Sequence, residues 1–119
     1  MNIKFRAWNT LVNRYQYFDL KQLHETKGEI KWDHLIFEQF TGVIDKNNNE
    51  IYKGDIIRVI EKGKPMFHSE VKYKESYWCI EDESGCDTDL FCYDKSVENH
   101  LGLVVGNIHQ HKHLLTSSK

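Results

Sequence analysis

The period of the hydrophobic pattern limits the fold of this chain more than any other feature, because apolar side chains recur at every second residue and seldom at helical spacing. Ile3, Phe5 and Ala7 alternate with Asn2, Lys4, Arg6 and Trp8, which gives one apolar and one largely polar face, as a half-buried strand requires. Asn9 to Asn13 supplies turn chemistry, and Arg14 to Phe18 is an aromatic run of strand type, so the pair predicts a hairpin. Ile30 and Trp32 alternate with Lys31 and Asp33, and Leu35 to Phe40 carries the apolar run to Thr41-Gly42. Ile56 to Ile60 and Phe67 to Tyr73 flank the turn Glu61 to Pro65 and predict a second hairpin. Tyr77 to Ile80, Leu90 to Tyr93 and Leu103 to Val105 read as further short strands, while Leu20 to Gly28 and Val97 to Leu101 are the stretches a helix could claim. Many short strands between turn signals predict an all-β or β-dominated fold, a small, partly open antiparallel barrel with at most one or two short helices.

The punctuation is densest between Gln39 and Val59, where Gly42 and Gly54 flank the loop Asp45-Lys-Asn-Asn-Asn49. Asp and Asn side chains bond nearby backbone and tolerate left-handed conformations, so this loop reads as a tight connection between extended pieces, and Gly54 permits a second reversal before Ile56. At 119 residues the chain suits one domain. We divide it into an N-terminal β portion, residues 1–40, a barrel-like portion, residues 41–110, and a flexible tail, residues 111–119.

Apolar residues make up 39% and aromatics 13%, with six Tyr, six Phe and three Trp, enough large side chains for a compact aromatic-rich core. A net charge of −2 lacks the cationic field that draws nucleic acid or anionic lipid without specificity. A local basic stretch does occur, with Lys53, Arg58, Lys62, Lys64, Lys72 and Lys74 against Asp55, Glu61 and Glu70. Cross-strand charge pairing is the favoured explanation, and a nucleic-acid face on Arg58, Lys62, Lys64, Lys72 and Lys74 is the alternative. No run of signal-peptide or transmembrane length is present, which points to the cytosol and away from membranes. Cys79, Cys86 and Cys92 are odd in number and lack CxxC spacing, so they are expected as reduced thiols, with Cys79 and Cys92 as small core residues.

Several site chemistries can be weighed on residue type and spacing. Asp45, Asn47 and Asn49 stand at the first, third and fifth places of a calcium loop, but the sixth is Glu50 where Gly is needed and the twelfth is Ile56 where a bidentate Glu is needed. His109, His111 and His113 would share one face of a strand and form the sharpest metal candidate. Adjacent same-face positions span more than zinc geometry readily allows, however, and no fourth ligand is indicated. Glu81, Asp82, Glu83, Asp87 and Asp89 could hold a divalent ion for hydrolysis, yet an acidic loop is ordinarily hydrated surface. Trp8, Trp32 and Trp78 could stack bases, though aromatics on strands are more often core. The GxGxxG, GxxxxGK[ST], HExxH and GxSxG motifs are all missing.

Three blocks, KFRAWN (Lys4 to Asn9), QFTGVIDKNNNEIYKGDIIRV (Gln39 to Val59) and VVGNIH (Val104 to His109), together resemble the YopX family of phage and prophage proteins. The family pattern, an aromatic-TG, then D-K-N, then E-I-Y-x-G-D-I, is met by Phe40-Thr41-Gly42, Asp45-Lys46-Asn47, Glu50-Ile51-Tyr52 and Gly54-Asp55-Ile56. Asn48 departs from it where relatives commonly have Gly, and the His-Gln-His-Lys-His tail departs from their mixed polar and acidic endings. The resemblance implies a β-rich fold whose GDI turn enters a strand as in SH3-like barrels. It also implies a phage gene acting in the host bacterium's cytoplasm, and no established activity. Gly42, Asp45, Asn47, Tyr52, Gly54, Asp55, Gly106 and Asn107 are then expected as structural signature positions.

The expectation is therefore a non-enzymatic binding module without cofactor or metal, whose partner is a protein of unknown identity or a second copy of itself. A nucleic-acid accessory factor is the first alternative and a metal-dependent enzyme the second.

Overall fold

The computed structural model describes residues 4–19, 21, 32–61, 63–81, 87–98 and 100–116. Its chain divides into two compact units, Met1–Phe40 and Thr41–Lys119. The fold is strand-dominated with antiparallel pairing, as the alternation requires, and the pairing closes no barrel among the described residues.

In the first unit, β1 (Lys4–Asn9) lies between β2 (Arg14–Asp19) and the start of β3 (Leu35–Ile44). Trp8 is opposite Tyr15 on one side and Ile36 on the other, while Arg6 is opposite Tyr17 and Glu38. The β1–β2 turn is held by Asn13 N–H donating to the Asn9 carbonyl at 2.8 Å and Leu11 N–H to Asn9 Oδ1 at 2.9 Å. Asn13 takes a left-handed φ of 54°, which Asn tolerates. A 3-10 turn, Trp32–His34, precedes β3, so this strand begins at Leu35 and the alternation read around Trp32 does not extend it upstream. The helix considered over Leu20 to Gly28, Lys21 apart, lies outside the described residues, as do Ile30 and Lys31.

The polar face expected of β1 is not solvated, since Arg6 and Trp8 are 4% and 6% exposed. Arg6 Nε donates to Glu38 Oε1 at 2.8 Å, the Tyr15 hydroxyl donates to the same oxygen at 3.0 Å, and the Arg6 guanidinium lies 4.0 Å from the Tyr15 ring centre. An unpaired buried charge costs several kcal/mol, so Arg6 goes inside only because this pair and the ring receive it. Alternation cannot reveal that, because the partners come from other strands.

In the second unit the remaining strands are β4 (Glu50–Tyr52), β5 (Asp55–Glu61), β6 (Lys64–Glu70), β7 (Lys72–Lys74), β8 (Tyr77–Glu81), β9 (Asp87–Asp89) and β10 (Leu101–Asn107). The end of β3 pairs with β4, β5 runs between β10 and β6, and β8 runs between β7 and β9. The core gathers Val43, Ile51, Ile57, Val59, Val71, Ile80, Leu90 and Tyr93, with Phe67, Trp78, Cys92 and Val104 packed against it. Cys79 is fully buried and Cys92 half-buried, and both are reduced cysteines. The register of β5 and β6 slips between Val59↔Phe67 and Ile60↔Pro65, placing the lone proline at a bulge, where a missing N–H is tolerated.

Leu90 to Tyr93, read as a strand, is a 3-10 turn because the Asp89 side chain caps it by accepting from Phe91 N–H at 2.9 Å. The turn aims Leu90 and Tyr93 into the core. A Cβ on Gly102 would sit 2.9 Å from the Tyr93 ring, so only glycine lets β10 pass that ring. Val97 and Glu98 form bends, and Leu101 already belongs to β10. A one-turn helix, His113–Thr116, follows, within what was expected as a tail. No helix among the described residues is long and apolar enough to cross a membrane.

Candidate functional site

The signature positions converge on backbone. Asp45, fully buried, receives four donors: Oδ1 accepts from the N–H groups of Asn47 and Asn49, each at 2.9 Å, and Oδ2 accepts from Asn49 Nδ2 at 3.4 Å and Val104 N–H at 2.9 Å. Asn48 turns the loop at a left-handed φ of 65°, the conformation a glycine would adopt freely. Lys46 Nζ crosses to the carbonyls of Val97 at 2.8 Å and His100 at 2.6 Å, and Asp94 Oδ1 accepts from Ile44 N–H at 3.0 Å. The loop therefore fastens β3 and β10 together with the segment between Asp94 and His100. Its calcium likeness is positional only, because both Asp45 oxygens are taken by N–H groups.

Gly42, inside β3, has a φ of 87°, and beside it the Thr41 hydroxyl donates to the Ile51 carbonyl at 2.7 Å and accepts Val43 N–H at 3.1 Å. Gly54 has a φ of 86°. Next to it, buried Asp55 accepts Tyr52 N–H on Oδ2 at 2.8 Å, which closes the β4–β5 reversal. Gly54 N–H donates to Val71, Val71 N–H to Asp55, and Ile108 N–H to Gly54. One turn thus joins β4, β5, the end of β6 and the end of β10.

At the end of β10, Asn107 Oδ1 accepts from His109 and Gln110 N–H, both at 3.0 Å, and its Nδ2 donates to Gln110 Oε1 at 3.0 Å. Asn107 N–H donates to His111 Nδ1 at 3.1 Å, and a Cβ on Gly106 would lie 2.6 Å from the His111 ring. Gly106 is glycine because the imidazole rests on its backbone. His109, His111 and His113 do not share a strand: β10 ends at Asn107, His109 lies in the turn and His113 opens the helix. His111 and His113 rings are 6.3 Å apart. Among the described residues no three His, Cys, Asp or Glu side chains are grouped as a metal would need.

The basic residues are scattered. Lys72 and Lys74 both turn to Glu81, at 3.9 Å and 2.6 Å, and their charge holds the Glu81 carboxyl below the usual 4.5, the Lys74 hydrogen bond first. Arg58 Nε donates to His68 Nε2 at 3.2 Å across β5 and β6, while Lys64 is exposed and Lys62 lies outside the described residues. His68 Nδ1 is buried with no hydrogen-bond partner among the described residues. Burial first, and then the Arg58 charge, lowers the His68 imidazole below 6.5. Of the acidic loop, Glu81 is used by lysines and Asp89 caps a turn, while Asp82, Glu83 and the Asp87 side chain lie outside the described residues. Burial pushes the Asp94 carboxyl up, but Ile44 N–H and the Ser96 hydroxyl and N–H outweigh it, so the group stays below 3.8.

Exposed apolar side chains are the remaining candidates, and among the described residues the first unit holds most of them. Leu11, Val12, Tyr17 and Ile36 stand out there, against Tyr73 and Phe91 in the second unit. Trp8 packs edge-on against Tyr15 and Trp78 against Tyr73, with ring centres 5.0 and 4.9 Å apart. Trp8 is buried, Trp78 is half-buried against the core, and the Trp32 side chain lies outside the described residues.

A family model described as YopX protein matches residues 4–116. The crystal structure of protein EF1440 from Enterococcus faecalis is similar at a TM-score of 0.63 and 22% sequence identity, over 95% of this chain and 97% of that chain. At that identity the likeness is one of fold. No curated protein matches the chain.

Proposed function

The chain belongs to the YopX family, and from that membership we propose a phage- or prophage-encoded, non-enzymatic binding module acting through protein–protein contacts in the bacterial cytoplasm. The observation that carries this reading is a division of labour among side chains. Asp45, Asp55 and Asn107 bond the chain's own backbone, while Leu11, Val12, Tyr17 and Ile36 are exposed on one small unit. Exposed apolar side chains gathered on one small unit are what a protein partner can cover. On this reading the Gly54-Asp55 turn is structural, entering β5 as the corresponding turn does in SH3-like barrels. The nucleic-acid alternative would need Arg58, Lys62, Lys64, Lys72 and Lys74 on one free face, and Glu81 already draws on Lys72 and Lys74.

Affinity capture of the tagged full chain from the host bacterium, with mass spectrometry and nucleic-acid sequencing of what is retained, tests the proposal. A specific protein retained without nucleic acid is the expected result. Retention of nucleic acid that weakens steeply with salt would replace this reading with the nucleic-acid one.

A further inference from the structure

The tip of the β1–β2 hairpin is a loop with an apolar crown. Leu11 is 67% and Val12 51% exposed, and the backbone beneath them is fixed by Asn9 on one side and by His34 on the other. Thr10 donates to the His34 carbonyl twice, from N–H at 2.9 Å and from its hydroxyl at 3.2 Å. A loop held this way loses little conformational freedom when its side chains are covered. Ile36, 46% exposed, stands on the neighbouring strand opposite Trp8.

Among the described residues, the charges flanking this crown are of opposite sign. Arg14, exposed, begins β2 opposite Asn9, and Asp33, exposed, precedes His34 on the β3 side. Leu35, two residues after Asp33, lies across β1 from Arg14 at two strand spacings, about 10 Å, so the cation and the anion stand on opposite sides of the tip. A two-fold axis perpendicular to this sheet, placed just beyond the tip, would bring Arg14 of one copy over Asp33 of the other, twice, with Leu11 and Val12 of both copies between. Patches that match themselves in this way are what an isologous contact requires.

We infer that the tip end of the N-terminal sheet is a self-association surface, on which a second copy of this chain docks through Leu11 and Val12 and is oriented by reciprocal Arg14–Asp33 pairs. The inference deepens the protein-contact reading by naming the partner as the chain itself. Two hairpin tips meeting end to end belong with the small contacts, below ~1,200 Å², that form weak complexes, so the dimer's population depends on concentration.

Sedimentation velocity of the full chain, from about 1 µM to about 1 mM at low salt, reads this out. The sedimentation coefficient should rise with concentration for the native chain and stay at the monomer value for Leu11→Asp. Arg14→Asp alone and Asp33→Arg alone should each weaken association by about tenfold, since every swap sets two like-charged contacts per dimer. The double swap should restore it. A monomer at every concentration overturns the inference, as does a dimer indifferent to the swaps or a double swap as weak as the singles. Those outcomes leave a protein partner other than the chain itself to be decided by the capture experiment.

Discussion

Asp45 Oδ2 accepts the backbone N–H of Val104 at 2.9 Å, joining a loop to a strand 59 residues later in the sequence. The same carboxylate holds the loop's own N–H groups, so its loss frees donors at both places. Asp45→Ala should lower stability by about 3 kcal/mol in urea unfolding, since several buried N–H groups lose a charged acceptor. Asp45→Asn should cost a similar amount, because an amide offers a donor where one of these N–H groups already points. Millimolar calcium should leave the melting temperature of the native protein unchanged.

His111 and Gly106 form a matched pair. Gly106→Ala places a Cβ where the ring lies, so the imidazole must leave and Asn107 N–H loses its acceptor. A loss of about 1–3 kcal/mol is expected. The double variant Gly106→Ala/His111→Ala should be less destabilised than the sum of the singles, because the clash disappears with the ring. Additive losses would mean that the two residues do not interact.

Left-handed positions should respond with opposite signs according to what occupies them now. Gly42 at φ 87° becomes strained on conversion to Ala, at a cost of about 1 kcal/mol, although the space for a Cβ is open. Glu75 and Ser76 make the two-residue β7–β8 turn at φ 50° and 78°, values that favour Asn and Gly. Ser76→Gly should therefore stabilise by roughly 0.5 kcal/mol, read as a rise in the urea midpoint.

Acidification should destabilise the fold in two stages. Folded His68 has its pKa below 6.5, so the unfolded chain binds more protons in that window and stability falls as pH drops below 6.5. Folded Glu81 and Asp94 have pKa values below 4.5 and 3.8. The stability they contribute is present above those values and is lost as pH falls through the folded ones. His68→Gln should flatten the first stage and leave the second in place, as measured by unfolding midpoints across pH.

The sequence shows the strands and their punctuation because both depend on near neighbours. Alternation marks β1 and β6, an apolar run marks β5, and Gly42, Gly54 and Asp55 mark the reversals at the positions where the backbone turns. It does not show which distant groups each side chain meets. Lys46 reads as a loop lysine, yet it binds carbonyls at residues 97 and 100. Arg6 reads as solvated, yet Glu38 and Tyr15 receive it indoors. The three histidines alternate in sequence, but the Asn107 side chain ends the strand before they can line up. The exposed crown of Leu11 and Val12 is equally invisible, because an apolar pair in a turn carries no mark of which way it faces.

Capture from host cells that also carry the untagged chain, with the double variant Leu11→Asp/Ile36→Asp beside the native chain as bait, separates the fold-holding residues from those that meet a partner, the untagged copy included. Both substitutions fall on exposed side chains, so the melting temperature should stay within a few degrees of native while the retained protein disappears. A variant that keeps its fold and still retains the same protein would contradict the assignment of this surface to binding.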